Sequence, residues 1–95
     1  MYARIASFEG GNTERLRQMN EEAISSGTME MPTGMSRIML LSNEVGDRRL
    51  FVTFFESRAE LDAAEARFES MGDEISEEIR GRRTSVDVYE VVMEA

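Results

Sequence analysis

Four short segments of the chain combine apolar, β-branched and aromatic residues and are bounded by glycine or polar turn residues. This composition is typical of β-strands. The four predicted strands are residues 2–8, 35–41, 49–55 and 84–92. Residues 43–47 are a turn by composition, so the second and third strands are expected to form a hairpin.

Two further segments place apolar residues at helical spacing and so predict amphipathic helices. In the first helix the apolar stripe consists of Leu16, Met19, Ala23 and Ile24. Asn12 or Thr13 is expected to cap the start of this helix, and Gly27 to end it. A loop that contains the only proline, Pro32, leads from there to the second strand.

The second helix begins at a capping box formed by Ser57 and Glu60. Its buried side is predicted to consist of Leu61, Ala64, Phe68 and Met71. Gly72 is expected to interrupt this helix. Residues 73–80 then add a short helical piece, which Gly81 ends.

The order of elements, β-α-β-β-α-β, predicts one α+β domain over residues 1–95 with a ferredoxin-like fold. Right-handed crossover connections give an antiparallel sheet of strand order 4-1-3-2. Both helices are then expected on the same face of that sheet, and the opposite face stays uncovered within one chain.

The two hairpin strands are apolar on both faces. Alternation places Met35, Met39 and Leu41 on one face of the second strand and Ile38 and Leu40 on the other. In the third strand it separates Leu50, Val52 and Phe54 from Phe51 and Phe55. Strands that are apolar on both faces are normally buried on both faces. We therefore expect the uncovered face to meet the same face of a second copy, giving a homodimer.

Composition excludes many kinds of chemistry. The chain has no Cys, His, Trp or Lys, so it offers no thiolate, imidazole base or Schiff-base lysine. The net charge of −8 argues against nucleic acid as a partner. No apolar run is long enough to cross a membrane, and the first residues do not resemble a secretory signal. We expect a cytoplasmic protein.

Six segments together resemble a known family. They are YAR in the first strand, PTG and IMLL around the second, RLFVTFFES, RAELDAAEA and the closing VDVYEVVMEA. The pattern, which spans nearly the whole chain, is similar to the dimeric α+β barrel superfamily, and within it to antibiotic biosynthesis monooxygenase-like proteins. The resemblance implies a homodimer whose two sheets pack face to face, with a cleft between sheet and helices in each subunit.

The resemblance also implies two activities. Some members oxidise aromatic polyphenols with dioxygen and no cofactor, and others degrade haem. The haem-degrading members share an Asn, a Trp and a His, and this chain has neither Trp nor His. We therefore expect no haem degradation and no cofactor. Two hypotheses stay open: a protein that binds or oxidises a small apolar or aromatic molecule, and a non-catalytic dimeric module.

Seven residues are candidates for lining the ligand cleft: Arg37, Tyr89, Arg4, Met35, Phe51, Phe54 and Phe55. A guanidinium suits a carboxylate or phenolate, and a tyrosine hydroxyl can orient a phenol. The structural alternatives are an ion pair between Arg4 and Asp87 on the neighbouring strand, and a Tyr89 hydroxyl that simply faces water. The basic cluster of residues 80–83 is interpreted as the cationic end of a helix.

Residues 28–41 carry four methionines, Met29, Met31, Met35 and Met39. Without His or Cys to assist, they do not predict a metal site. Packing is the leading interpretation for Met39. For the other three, a flexible wall or lid over the cleft is the alternative. The many carboxylates, including Glu65 and Glu69, are expected on solvated helix faces.

Overall fold

The computed structural model describes residues 1–27, 34–45, 47–74 and 76–95, with residues 71–74 described through their backbone. Its elements are β1 Tyr2–Glu9, α1 Thr13–Ser26, β2 Met35–Ser42, β3 Arg48–Phe55, α2 Arg58–Glu74, α3 Glu77–Arg80 and β4 Arg82–Glu90. The predicted loop with Pro32, Met29 and Met31 lies outside the described residues. Among the described helices, none is long and apolar enough to cross a membrane.

The four strands form one antiparallel sheet of order β2-β3-β1-β4, which confirms the predicted order. The two central strands are β1 and β3, and their register pairs Arg4 with Thr53 and Ala6 with Phe51. Both edge strands contain an irregularity, between Ser7 and Phe8 where β1 pairs with β4, and at the start of β2.

Local sequence signals place the helix ends. The Asn12 side chain accepts a hydrogen bond from the backbone N–H of Arg15 at 2.9 Å, and so caps α1. Gly27 ends the same helix in the left-handed conformation, with φ 71°. The Ser57 hydroxyl accepts from the N–H of Glu60 at 3.2 Å, as the capping box predicts.

Two predicted boundaries are wrong. Gly72 does not interrupt α2, because a glycine within a helix costs only about 1 kcal/mol relative to alanine and packing of the preceding turns offsets it. The fourth strand starts at Arg82, two residues before the prediction, and ends at Glu90. Gly81 has φ 81° and separates α3 from this strand, so Arg82 and Arg83 pair with β1 instead of closing a helix.

The core lies between the sheet and α2. It consists of Phe55 on β3 and three helix residues, Leu61, Ala64 and Phe68. The Phe68 ring makes edge-to-face contacts with Phe51 and Phe55, with ring centroids 6.3 and 6.1 Å apart. The first helix contributes no buried residue, and Ile24 of its predicted stripe is 64% exposed. The two helices therefore cover the sheet unequally.

A buried arginine fixes the start of α1 against the sheet. Arg49 of β3 is only 1% exposed. Its Nη1 donates to Thr13 Oγ1 at 2.8 Å, and its Nη2 donates to the carbonyl oxygens of Gly10 and, at 2.7 Å, Arg80. Burial lowers the pKa of this guanidinium below its usual value. One side chain thus ties together the β1–α1 loop, α1 and the end of α3.

The close approach of Arg49 explains why residues 11 and 81 are glycines. Gly11 and Gly81 have φ values of 76° and 81°, a region that favours glycine. A Cβ atom at Gly11 would lie 2.6 Å from Arg49 Nη2, and one at Gly81 would lie 2.5 Å from it. Glycine is therefore favoured at both positions, first by the backbone conformation and second by the approach of the guanidinium.

We expect Arg49→Met to lower the free energy of unfolding by about 1–3 kcal/mol, because three part-buried acceptors lose their donor. Urea denaturation measures the effect. Arg15→Met, on the exposed surface of α1, is the matched control and should change stability by less than about 0.5 kcal/mol. Equal losses of stability in the two variants would contradict the role of Arg49 in fixing α1 against the sheet.

Candidate functional site

The sheet presents two different faces. Cross-strand register and burial place one set of side chains toward the helices: Tyr2, Arg4, Ala6, Met35, Ile38, Leu40, Phe51, Thr53, Phe55, Val86 and Val88. The opposite set is Ala3, Ile5, Ser7, Arg37, Met39, Leu41, Leu50, Val52, Phe54, Ser85, Asp87 and Tyr89. We call these the helix-side face and the open face.

The seven candidate residues divide between these faces. Four of them, Arg4, Met35, Phe51 and Phe55, come together on the helix-side face. The other three, Arg37, Phe54 and Tyr89, lie in one row across the open face. The fold therefore assembles two separate groups, with the sheet between them.

Met35 lies on the face opposite to the one that simple alternation predicts. The prediction grouped it with Met39 and placed Arg37 between them on the same strand. The register shifts between Met35 and Arg37, and this irregularity turns Met35 toward Phe55 and the core. Met39, beyond the irregularity, stays on the open face opposite Val52.

Arg4 is the charged group at the floor of the helix-side face. It is 2% exposed, its Nε donates to Glu65 Oε1 at 2.8 Å, and its guanidinium carbon lies 4.5 Å from the Phe68 ring centroid. The predicted ion pair with Asp87 is wrong, because Arg4 pairs in register with Val88 and Asp87 projects from the other face. Arg4 nevertheless forms an ion pair, and its partner carboxylate is Glu65 of α2.

Glu65 departs from the prediction that the helix carboxylates are simply solvated. It is half-buried, and it neutralises Arg4. One turn later on α2, the exposed Glu69 carboxylate accepts from Arg83 Nη1 at 2.8 Å. The hydrogen bond from Arg83, its charge and the charge of Arg4 hold the pKa of Glu69 below its usual value. Two carboxylates of α2 thus meet two arginines of the sheet.

A half-covered apolar region lies beside this charged pair. On the sheet it consists of Ile38, Leu40 and Phe51, all half-buried. The connection from β1 to β2 carries α1 across this part of the sheet, and Arg49 fixes its first turn there. A depression of about 640 Å³ lies along α1, and its described lining, Met19, Glu22, Ala23, Ser25 and Ser26, comes entirely from this helix. We use the word cleft for the region that comprises this depression and the part of the sheet that the β1–α1–β2 connection crosses.

Sequence reasoning did not single out Ile38, Leu40 or Glu65 for the cleft. The signal for the first two was present, because alternation already placed them on the face opposite Met39. Nothing in the sequence distinguished Glu65 from its neighbouring carboxylates. Among the described residues, no three acidic side chains are grouped closely enough to hold a metal ion.

No protein-family model matches the chain, and no curated protein matches it significantly by sequence. Solved structures do resemble it. Rv0793 from Mycobacterium tuberculosis is 20% identical with a TM-score of 0.65, over 99% of this chain and 97% of that one. The chain shares its ferredoxin-like fold with these neighbours, which are antibiotic biosynthesis monooxygenase-like proteins of the dimeric α+β barrel type. This confirms the ferredoxin-like fold that the sequence predicts.

Two structures of MhuD show the same likeness. A substituted MhuD with two manganese protoporphyrin IX molecules bound per active site is 19% identical, with a TM-score of 0.60 over 100% of this chain and 98% of that one. The haem degrader MhuD from Mycobacterium tuberculosis, with two haems in its active site, is 17% identical. Its TM-score is 0.59, over 100% of this chain and 99% of that one. At these sequence identities the structural similarity shows a shared fold and nothing more.

Glu65→Gln should lower the free energy of unfolding by about 1–3 kcal/mol, because it leaves the buried Arg4 guanidinium without its counter-charge. Chemical denaturation of the purified variant measures this loss. Glu21→Gln removes a carboxylate from an exposed ion pair on α1 and should cost less than about 1 kcal/mol. A Glu65 variant as stable as the control would mean that Arg4 does not depend on this pair.

The Glu69–Arg83 pair predicts a pH dependence. Since the folded-state pKa of Glu69 lies below its unfolded value, the pair stabilises the fold above about pH 4.3 and loses that contribution as the pH falls further. Thermal melts from pH 7 to pH 3 should therefore give a higher Tm for wild type than for Glu69→Gln at neutral pH. The two Tm values should converge in acid. A difference in Tm that stays constant across this range would contradict the prediction.

Proposed function

We propose that this protein binds a small apolar or aromatic molecule in the cleft, as one subunit of a homodimer. The supporting observation is the unequal cover of the sheet: α2 buries three apolar residues on it, whereas α1 buries none. Ile38, Leu40 and Phe51 are only half-buried, on the part of the sheet that the β1–α1–β2 connection crosses. An apolar surface that a helix spans without filling is the usual character of a small-molecule site.

The chemistry of the cleft favours binding over proton transfer. Phe51 and Met35 offer an aromatic edge and a soft thioether, which suit a flat apolar molecule. The charged pair at the floor, Arg4 and Glu65, is already mutually satisfied at 2.8 Å. Tyr89, the hydroxyl that the sequence offered as an acid, belongs to the open face. A ligand oxidised here would have to supply its own reactivity.

Haem does not fit this cleft well. Haem iron is usually held by His, Cys or Tyr, or by Met together with a His, and the chain has no His or Cys. Of its two tyrosines, Tyr2 packs against the core and Tyr89 lies on the open face. Haem binding is therefore ascribed to MhuD alone. For this chain we propose a ligand without an iron centre.

The homodimer covers the open face, which is the second part of the proposal. Leu41 and Leu50 are 41% and 38% exposed there, beside Met39, Val52 and Phe54. Contiguous apolar surface of this kind usually marks an interface. A second copy supplies a complementary apolar face without any other partner, and the cytoplasm is the expected location of the assembly.

The cleft can be tested with the neutral probe N-phenyl-1-naphthylamine, whose fluorescence rises in apolar surroundings. We expect saturable binding to wild type. Ala23→Phe should weaken it at least about tenfold, because the added ring occupies the space beside Met19 that the probe needs. Ala63→Phe, the same change on the exposed side of α2, is the matched control and should bind like wild type.

The comparison with the control shows whether the probe binds in the cleft. Equal affinity in the Ala23 and Ala63 variants would place the probe outside the cleft and contradict the proposal. Absence of binding to wild type would favour the non-catalytic module, whose helix-side space is closed by its own side chains. Circular dichroism of each variant verifies that the fold is retained.

A further inference from the structure

Arg4, on the central strand β1, has hydrogen-bonding capacity that the fold does not use. An arginine side chain carries five N–H donors in a planar fork, and the ion pair with Glu65 engages Nε alone. Neither terminal nitrogen, Nη1 or Nη2, donates a hydrogen bond to a residue that the structure describes. The ion pair therefore matches the charge of Arg4 but leaves the end of its fork without an acceptor.

A second polar group lies beside this arginine. Thr53 of β3 is the cross-strand neighbour of Arg4. It is fully buried, and its hydroxyl has no hydrogen-bond partner in the described part of the chain. Because buried polar side-chain atoms are nearly always hydrogen-bonded, two adjacent side chains with unused capacity indicate a shared partner. Arg4 can only donate, so that partner must be an acceptor.

The strand register connects this pair to the cleft. On the helix-side face, Thr53 is flanked by Ile38 of β2 on one side and by Arg4 on the other. Two strand spacings, roughly 10 Å, separate Ile38 from Arg4. The Phe68 ring contacts both Arg4 and Phe51 and so borders this row from the side of α2. A flat body that lies on Ile38 and Phe51 thus has its far end near Thr53 and Arg4.

We propose that the ligand of the cleft is a monocarboxylic acid with an apolar or aromatic body, and that Arg4 and Thr53 receive its carboxylate. This inference rests on the binding function proposed above and names the chemical class of the ligand. The two carboxylate oxygens match the fork of Nη1 and Nη2. The Thr53 hydroxyl can donate to one of the same oxygens.

The balance of charge favours one carboxylate over other acceptors. The Arg4 side chain is 2% exposed and that of Glu65 is 37% exposed, so water screens the charge of Glu65 more strongly than that of Arg4. A neutral carbonyl group offers the buried guanidinium one acceptor atom and no charge. A phosphate dianion would bring two negative charges to a site where Glu65 is already negative. A carboxylate supplies two acceptor atoms with a single charge.

Glu65 acts on the same binding step in the opposite direction. Its carboxylate competes with the carboxylate of the ligand for one guanidinium, so removing its charge should strengthen the binding of an acid. A residue that only stabilises the fold would not distinguish an acid from its neutral analogue. Glu65 is thus a specificity-determining residue, whereas Arg4 and Thr53 are the groups that bind the ligand.

The test compares 2-naphthoate with 2-naphthamide, which share one ring system and differ in charge. Displacement of N-phenyl-1-naphthylamine measures both affinities at neutral pH and low salt. Wild type should bind the acid at least about tenfold more tightly than the amide. Glu65→Gln should tighten binding of the acid by about a further fivefold and leave binding of the amide unchanged.

Asp62→Asn is the matched control, because it removes the same charge from an exposed ion pair on α2, and it should alter neither affinity. Thr53→Val keeps the shape of the side chain and removes the hydroxyl, so it should weaken the acid by about threefold or more. The fold should survive this change, since that hydroxyl bonds to no described residue. Arg4→Lys keeps the charge without the fork and should reduce the preference for the acid. Circular dichroism of each variant verifies folding.

The outcomes separate the ligand class from the cleft itself. Three results would overturn the carboxylate site and leave apolar binding in the cleft standing: equal affinity for the acid and the amide, no displacement by either compound, or equal tightening by Glu65→Gln and Asp62→Asn. Absence of naphthylamine binding to wild type would overturn the cleft, and the carboxylate site with it.

Discussion

A four-stranded sheet whose hairpin strands β2 and β3 are apolar on both faces, with helices on only one, is the constraint on which the rest of this structure depends. On the helix side, Phe55 and Ala6 are almost completely buried. On the open side, Leu41 and Leu50 remain partly in water. Hydrophobic burial is the main favourable contribution to folding, so an uncovered apolar face is a surface that gains free energy by meeting another. The proposed ligand cleft and the proposed homodimer both follow from how each face is covered.

On the helix side, the two helices divide structural and functional roles. The second helix packs on the sheet through Leu61 and Phe68 and also supplies Glu65 to the buried Arg4. The first helix is held at its start by Arg49, through Thr13 and neighbouring carbonyl groups, and buries no residue of its own. A depression of about 640 Å³ lies along this helix. That space is what makes ligand binding the function best supported here.

Much of the fold follows from the sequence, because periodicity and helix caps are local signals and the crossover rule then leaves few topologies. Three features did not follow. Met35 faces the core because of an irregularity at the start of β2, which alternation cannot reveal. Arg49 was predicted only as the first residue of its strand, and its hydrogen bonds to Thr13 and Arg80 arise from elements far apart in the sequence. Glu65 became the partner of Arg4 only when the helix was placed over the strand, a contact between residues 61 positions apart.

The most direct test of two separate functional faces is NMR of methyl-labelled methionine, with a soluble paramagnetic agent and the neutral naphthylamine probe. Met35 and Met39 lie on opposite faces of the same strand, so each reports on one of them. We expect the Met39 methyl group to be shielded from the agent at high protein concentration and exposed on dilution, and only Met35 to shift with the probe. A Met39 signal that is exposed at every concentration, or probe shifts at both methionines, would contradict this account.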